Sequence, residues 1–489
     1  MKPFSILHIS DLHRSPNSQI SNSELISALI ADRKRYRCEE PKITAPEAIV
    51  ICGDIIQGVP LGISDYDTQL TQQYEVAEQF LDELTNRFLD GDRSRLVIVP
   101  GNHDIDWNTA NKAFEIVVHD SIIDISSKLN SAQSDYRLDL KTLTLLRIRN
   151  RDQYALRLEA FWKFYNKFYS GVSGLLRVQS HSDFSLFSLN DGRIGLAAFN
   201  SCINNDCYAF HGLIKQEAIA QSHLSLLDIR PTFDLHIAAW HHSIEGPPYR
   251  TDYMDVDIVR GMIGRGFRIG LYGHQHKSQI TPHQIWLPNR ERMAVISAGS
   301  LCADTKELPS GIKRQYNILE ISPNFCGVRV HVRSMDVANL FSKCILNEFG
   351  GTSFVDLDWE PRKNPLGGIY DTETAHLRRV VEEAEIATKS GNHEYAVKLL
   401  RNIKLTDGSY GRQLLITSAI KAKDWQTVID ETTTPLSIEE LTQRVEAFIK
   451  MREYINAEEA IDSFSKDKQL PENIAKELRK RIIIEEAMN

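Results

Sequence analysis

The chain has no Cys-x-x-Cys pair. Its seven cysteines, Cys38, Cys52, Cys202, Cys207, Cys302, Cys326 and Cys344, are scattered along 489 residues. The missing spacing argues against a thiolate zinc site, and the odd count points to a reducing compartment rather than a disulfide framework. Positive charge is not in excess either: 57 Lys and Arg face 65 Asp and Glu, for a net charge of -8. A chain so charged has no global attraction for nucleic acid or an anionic bilayer, so any polyanion site has to be a local patch or a metal centre. Also missing is any run approaching the roughly 20 apolar residues of a membrane helix. The first apolar run, in "MKPFSILHIS", is too short for a signal-peptide core and is interrupted by His8 and Ser10, so it reads as a strand. The expectation is a cytoplasmic protein without a membrane partner. Composition is that of an ordinary soluble protein, 42% hydrophobic and 25% charged, and the length calls for more than one domain.

What is present is a series of short apolar runs that each end in a polar cluster. Phe4 to Ile9 precede "SDLH", Ala48 to Cys52 precede "GD", and Leu96 to Val99 precede "PGNHD". Leu235 to Trp240 precede "HHS", and Arg268 to Tyr272 precede "GHQH". Helix-like segments lie between them, such as Tyr74 to Phe88 with Val76, Ala77, Phe80, Leu84 and Phe88 near helical spacing. Further strands are expected at Phe184 to Leu189, Ile194 to Phe199, Met293 to Ala298, Tyr316 to Ile321 and Val328 to Val332, enough for a second sheet. Alternating strands and helices predict an α/β sandwich, whose site lies beyond the carboxyl ends of the strands.

The residues so gathered are Asp11, His13, Asp54, Asn102, His103, His241 or His242, His274 and His276. Imidazole together with carboxylate and amide oxygen suits manganese first, then iron, zinc or nickel, whereas magnesium alone prefers oxygen. One ion cannot use them all. The set divides into two sites that share a carboxylate, with ions roughly 3.5–4 Å apart, the arrangement that clamps both oxygens of an in-line phosphoryl displacement and lowers the pKa of water enough to supply hydroxide. A lone "GD" or "HxH" is commonplace, and a single histidine at a strand end is usually structural. It is the ordered series, each member placed after a strand, that carries the reading.

"SDLH", "GDII", "GNHD", "WHHS" and "GHQH" resemble the ordered signature of the calcineurin-like metallophosphoesterases over about residues 4–335. The resemblance implies a four-layer α/β/β/α sandwich with a dinuclear metal centre. It implies that Asp11, His13, Asp54 and His276 hold one ion, and that Asp54, Asn102, His241 and His274 hold the other. His241 is preferred to His242 because the family's ligand directly follows the strand. His103 falls at the family's acid position, with Asp104 expected to fix its tautomer. The family's serine/threonine protein phosphatases carry an arginine in "GDxVDRG" that "GDIIQG" lacks, which places this chain nearer the phosphodiesterase and nuclease branches.

Residues 1–345 are therefore expected to form the phosphoesterase domain, with an insertion at 105–182 acting as a cap. Within it, Arg147, Arg149, Arg151, Arg157, Lys163 and Lys167 interleave with Phe161, Trp162, Phe164, Tyr165, Phe168 and Tyr169. This is either a stacking wall for nucleotide or single-stranded nucleic acid or, the preferred reading, a helix whose aromatic stripe packs on the sandwich. The Gly- and Pro-rich stretch 346–373 reads as a linker. Residues 374–489 read as helical pairs: 375–390 with 393–403, 410–423 with 425–431, 437–452 with 455–464, and a last helix at 471–487. They resemble tetratricopeptide-like hairpins suited to a protein partner or self-association. The expected function is hydrolysis of phosphodiesters of nucleotides or nucleic acid. The alternatives are a small-molecule phosphomonoesterase, and a non-catalytic scaffold, which predicts gaps in the ligand set.

Overall fold

Runs such as Ala48–Cys52 and Leu96–Val99 are buried over their whole length, as strands covered on both faces must be. The computed structural model describes residues 2–117, 129, 134–229, 233–244, 252–281, 292–309, 311–345, 352–359, 380–381, 383–385, 387–388, 390–405, 409–467 and 470–488. They fall into two compact units, Met1–Arg362 and Lys363–Asn489.

In chain order the strands are β1 (Phe4–Ile9), β2 (Ala48–Cys52), β3 (Leu96–Val99), β4 (Phe114–Ile116), β5 (Tyr136–Asp139), β6 (Thr144–Ile148), β7 (Phe184–Leu189) and β8 (Ile194–Phe199). They continue with β9 (Leu235–Ala239), β10 (Phe267–Tyr272), β11 (Ile280–Thr281), β12 (Ala294–Ser297), β13 (Gln315–Ile321), β14 (Gly327–Met335), β15 (Phe341–Lys343) and β16 (Phe354–Asp358). Among the described residues, one sheet has the order β15-β14-β13-β1-β2-β3, with β16 also paired to β14; a second has the order β11-β12-β10-β9-β8-β7; and β4-β6-β5 form a small third. β1, β2 and β3 are parallel, as are β8, β9, β10 and β12.

The period of two along each strand assigns the faces. Leu196, Ile237, Leu271 and Ile296 of the second sheet share one core with Ile6, Ile49 and Val97 of the first. Their neighbours Ala197, Ala238 and Val295 turn into a separate core with the helices Gln216–Ile229 and Val256–Ile263. Helices Asn22–Arg33 and Tyr66–Leu89 join the first core through Leu25, Leu29, Phe80 and Leu84. The latter helix starts eight residues before the Tyr74 expected from periodicity, because its first two turns are largely solvated and carry little apolar signal.

One expectation is corrected, and one choice between two readings falls to the preferred one. The stretch read as a linker contains β16, whose "FVDLD" pairs with β14 from Gly327↔Asp358 to His331↔Phe354; its "EPRKNPLGG" part lies outside the described residues. In the insertion, the six aromatic side chains do not form a stacking wall. All lie on the helix Glu159–Tyr169 and all are buried. Phe164 stacks on Tyr74 with centroids 5.1 Å apart, and the Tyr169 hydroxyl donates to the Leu96 carbonyl at 2.7 Å, so the stripe belongs to the sandwich.

The second unit contains helices His393–Arg401, Tyr410–Ala422, Trp425–Glu431, Ile438–Lys450, Tyr454–Asp467 and Glu472–Met488. Half of the expected 375–390 helix lies outside the described residues. Ser409, Asp424 and Ser437 cap the N-termini of three of these helices, and a buried Arg412–Glu440 pair at 2.7 Å ties two of them together. Among the described residues no helix is long and apolar enough to cross a membrane.

Truncating Phe161, fully buried on the insertion helix, is expected to cost about 3–5 kcal/mol. The effect is read as a lower urea midpoint with unchanged slope. An unchanged midpoint with weakened binding of single-stranded DNA would return the ring to a nucleic-acid surface.

Candidate metal centre

Because β1, β2 and β3 are parallel, as are β9 and β10, their polar ends emerge on one side of their sheets, and the backbone binds those ends together. Asp11 N–H donates to the Gly53 carbonyl at 3.1 Å, Leu12 and His13 both donate to the Asp54 carbonyl at 2.8 and 3.0 Å, and Gly273 donates to His241 at 3.0 Å. Asp11 (φ 52°), His13 (43°), Asp54 (51°), His274 (77°) and His276 (53°) are all left-handed. For a non-glycine residue that conformation costs about 1–3 kcal/mol and persists where the surroundings enforce it, chiefly at functional sites. Gly273 leaves room for its neighbours. A Cβ there would overlap the Ser10 hydroxyl, just as one at Gly101 would overlap the Asp54 carboxylate.

Two groups of side chains result. In the first, one ligand atom each from Asp11, His13, Asp54 and His276 lie within 4.8 Å of one another. His13 Nε2 faces His276 Nε2 at 3.1 Å, with Asp11 Oδ1 3.3 Å from His276 Nε2. In the second, Asn102 Oδ1 lies 2.9 Å from His241 Nε2 and 3.0 Å from His274 Nδ1. Those two nitrogens are 3.2 Å apart, and Asp54 Oδ2 is 3.3 Å from His241 Nε2. Asp54 borders both groups. Its other oxygen accepts from the His103 N–H at 2.8 Å, which leaves Oδ2 to face the ring nitrogens.

The ring orientations suit ligation. His241 Nδ1–H donates to the Cys52 carbonyl at 2.7 Å and His276 Nδ1–H to the Glu307 carbonyl at 3.0 Å, so each turns Nε2 inward, as ligating histidines held by a carbonyl do. Asp11 Oδ1 is buried without a hydrogen bond. Paired ring nitrogens beside carboxylate and amide oxygens give more acceptors than donors, a set that cations complete.

The electrostatics agree. For His241, burial opposes the charged form, but Asp54, Asp11 and the Cys52 carbonyl outweigh it and lift the ring to about 9. For His276, burial is likewise outweighed by Asp11 and the Glu307 carbonyl, again to about 9. Asp11 goes the other way: burial resists ionisation, yet His276 and His241 hold it down at about 2. Each group thus draws one positive charge in a buried place. Bound divalent ions would displace those protons.

The profile of the calcineurin-like phosphoesterase family matches residues 4–278. This chain belongs to that family. The phosphoesterase is similar to solved structures that include the calcineurin-like phosphoesterase YfkN from Bacillus subtilis, 11% identical over 81% of this chain and 99% of that one, with a TM-score of 0.31. Another is Chaetomium thermophilum Vps29, 9% identical over 75% of this chain and 100% of that one, with a TM-score of 0.23. Comparison with curated proteins finds no match.

Adjacent residues of this phosphoesterase divide the work. His242 is fully buried and turns away from the Asn102 group: its Nδ1 meets Ser201 Oγ at 2.9 Å and its Nε2 meets Asn205 Nδ2 at 3.0 Å. Asp104 does not set the tautomer of His103, contrary to expectation. Its carboxylate accepts from Gly101 N at 2.8 Å, Ile55 N at 3.2 Å and the Tyr74 hydroxyl at 3.2 Å. It braces the loops after β2 and β3. His103 Nδ1–H instead donates to the Gln57 carbonyl at 2.7 Å. Ser300 donates from Oγ to the Asp11 carbonyl at 2.7 Å. Ser201 and Asn205 escaped the sequence reading, although "NSCINND" follows β8 as the other polar clusters follow their strands.

Substituting the two neighbouring histidines separates their roles. His241→Ala is expected to lower bound manganese from two ions per chain toward one, measured by elemental analysis after loading with Mn²⁺ and desalting. His242→Ala should instead keep metal while lowering the melting temperature. The reverse pattern would exchange the assignments.

Proposed function

We propose that this protein is a dinuclear metal-dependent phosphoesterase that hydrolyses phosphodiesters of nucleotides or nucleic acid. The observation that carries the reading is the position of Asp54 between two ligand groups. Asp11, His13, Asp54 and His276 would hold one ion, and Asp54, Asn102, His241 and His274 the other. The mixed oxygen and nitrogen donors favour manganese, then iron, zinc or nickel. Two divalent ions bound there supply Lewis acidity toward phosphoryl oxygens and acidify water for attack.

The chain's own residues do the rest. Two carboxylates offset only half the charge of such a pair, and Asn102 adds a neutral oxygen, so the loaded centre attracts a phosphate anion within a chain of net charge -8. His103 stands beside His13, with ring centroids 4.6 Å apart. With Nδ1–H committed to Gln57, its Nε2 is the nitrogen free to hold a proton for the leaving oxygen. Asp104 keeps the His103 loop in place. Gln57 stands in the loop where the family's protein phosphatases carry their arginine, which supports diesters over phosphoproteins.

Burial of the insertion's aromatic rings removes the feature that favoured single-stranded polymers, so nucleotide-sized diesters come first. The seven free cysteines suit a reducing, cytoplasmic setting. We assign residues 374–489 to docking a protein partner or a second copy, supported by the outward-facing Ile455, Ile483 and Ile484.

Turnover of bis-p-nitrophenyl phosphate and of the monoester with Mn²⁺ tests the proposal. The diester should be the better substrate, His103→Ala should lower its kcat by about 10²–10⁴-fold, and Asp54→Asn should abolish turnover. Turnover of the monoester alone would overturn the diester reading.

A further inference from the structure

We infer that Ser201, His242 and Asn205 are positioning residues for His241, and that Arg157 anchors them to the 105–182 insertion. This rests on the dinuclear reading above. His241 turns inward only if the backbone at residues 241 and 242 is fixed, and one hydroxyl does this. Ser201 Oγ accepts from the N–H of His241 at 3.2 Å and from that of His242 at 3.3 Å. The hydroxyl is in turn held by the His242 ring. The Asn205 Nδ2 lies 3.0 Å from His242 Nε2, and His242 Nδ1 lies 2.9 Å from Ser201 Oγ, so both ring nitrogens are held. Ser201, Asn205 and His242 are fully buried, and a Cβ at Gly212 would overlap His242, so the imidazole has no room to swing.

The loop that supplies Asn205 closes a turn of its own, Asn205 N–H donating to the Cys202 carbonyl at 3.3 Å. Arg157 holds it. Its Nε donates to the Asn205 carbonyl at 3.1 Å, and its Nη2 donates to the Cys202 carbonyl at 2.9 Å and also to that of Ile203. Its Nη1 donates to Tyr154 within the insertion at 2.9 Å. Asp206, next along the loop, pairs with Arg137 at 2.8 Å and accepts from the Tyr154 hydroxyl at 2.7 Å. Two arginines of the insertion thus grip the 202–206 loop. Arg157 is buried, so it is a brace for the metal ligands rather than a contact for nucleic acid. Buried arginine suits this task because its planar fork serves several carbonyls at once.

The relay touches His241 and none of Asp11, His13 or His276, so its loss should affect one of the two ions. Calorimetric titration with Mn²⁺ on the full chain tests this, with Ser201→Ala, Asn205→Ala and Arg157→Lys, the last keeping charge but not the fork. The expected result is two sites in the wild type and, in each variant, one site weakened about tenfold while the other is unchanged. A melting curve for each variant separates this from global loss of fold. Wild-type affinity at both sites in Ser201→Ala and Asn205→Ala would overturn the relay, as would equal weakening of both sites with a fall in melting temperature. Wild-type behaviour in Arg157→Lys alone would overturn the anchor. A wild type that binds no pair of ions would instead sink the dinuclear reading, and this inference with it.

Discussion

The arrangement depends on a single buried carboxylate. Asp54 leaves β2 in a left-handed conformation, gives its backbone carbonyl to the β1 loop, gives Oδ1 to the His103 N–H, and turns Oδ2 toward ring nitrogens from both sheets. Burial alone would push such a carboxyl up, yet His241, His103 and His13 hold it well below the usual range. An anion kept charged in the interior needs positive charge nearby, and the two ligand groups are where that charge belongs. Gly53 and Gly101 are small because the space beside Asp54 and His241 is already taken.

The cost of this geometry is spread through the fold. Five left-handed non-glycine residues are destabilising on their own, so rigid elements must hold them. The parallel strands align the loops, Ser300 secures the Asp11 carbonyl, Cys52 and Glu307 carbonyls orient two imidazoles, and Asp104 ties the β2 and β3 loops to Tyr74 on the neighbouring helix. The insertion adds the arginine grip on the 202–206 loop. Its aromatic helix is likewise structural, since the side chains that might have stacked on bases fill the sandwich core.

Much of this was legible in the sequence because parallel strands buried on both faces read as unbroken apolar runs. β1, β2, β3, β7 and β8 have the expected bounds, and the clusters after β1, β2, β3, β9 and β10 supply the ligand groups. The helix Asn22–Arg33 went unread although Ser21 and Glu24 form a capping box; its apolar residues do not make a clean stripe. β16 was hidden by the Gly- and Pro-rich segment around it. Roles decided by distant partners were not legible. Nothing near His242 in sequence announces Asn205, 37 positions away, and "GNHD" suggests a local Asp104–His103 contact where the carboxylate instead serves β2 and Tyr74.

The most direct test of the shared-carboxylate account is low-temperature electron paramagnetic resonance of the protein loaded with two equivalents of Mn²⁺. Ions bridged by Asp54, roughly 3.5–4 Å apart, should give the spectrum of a spin-coupled pair, which disappears in Asp54→Asn. Two isolated six-line Mn²⁺ signals in the wild type, or a coupled pair that persists in Asp54→Asn, would contradict it.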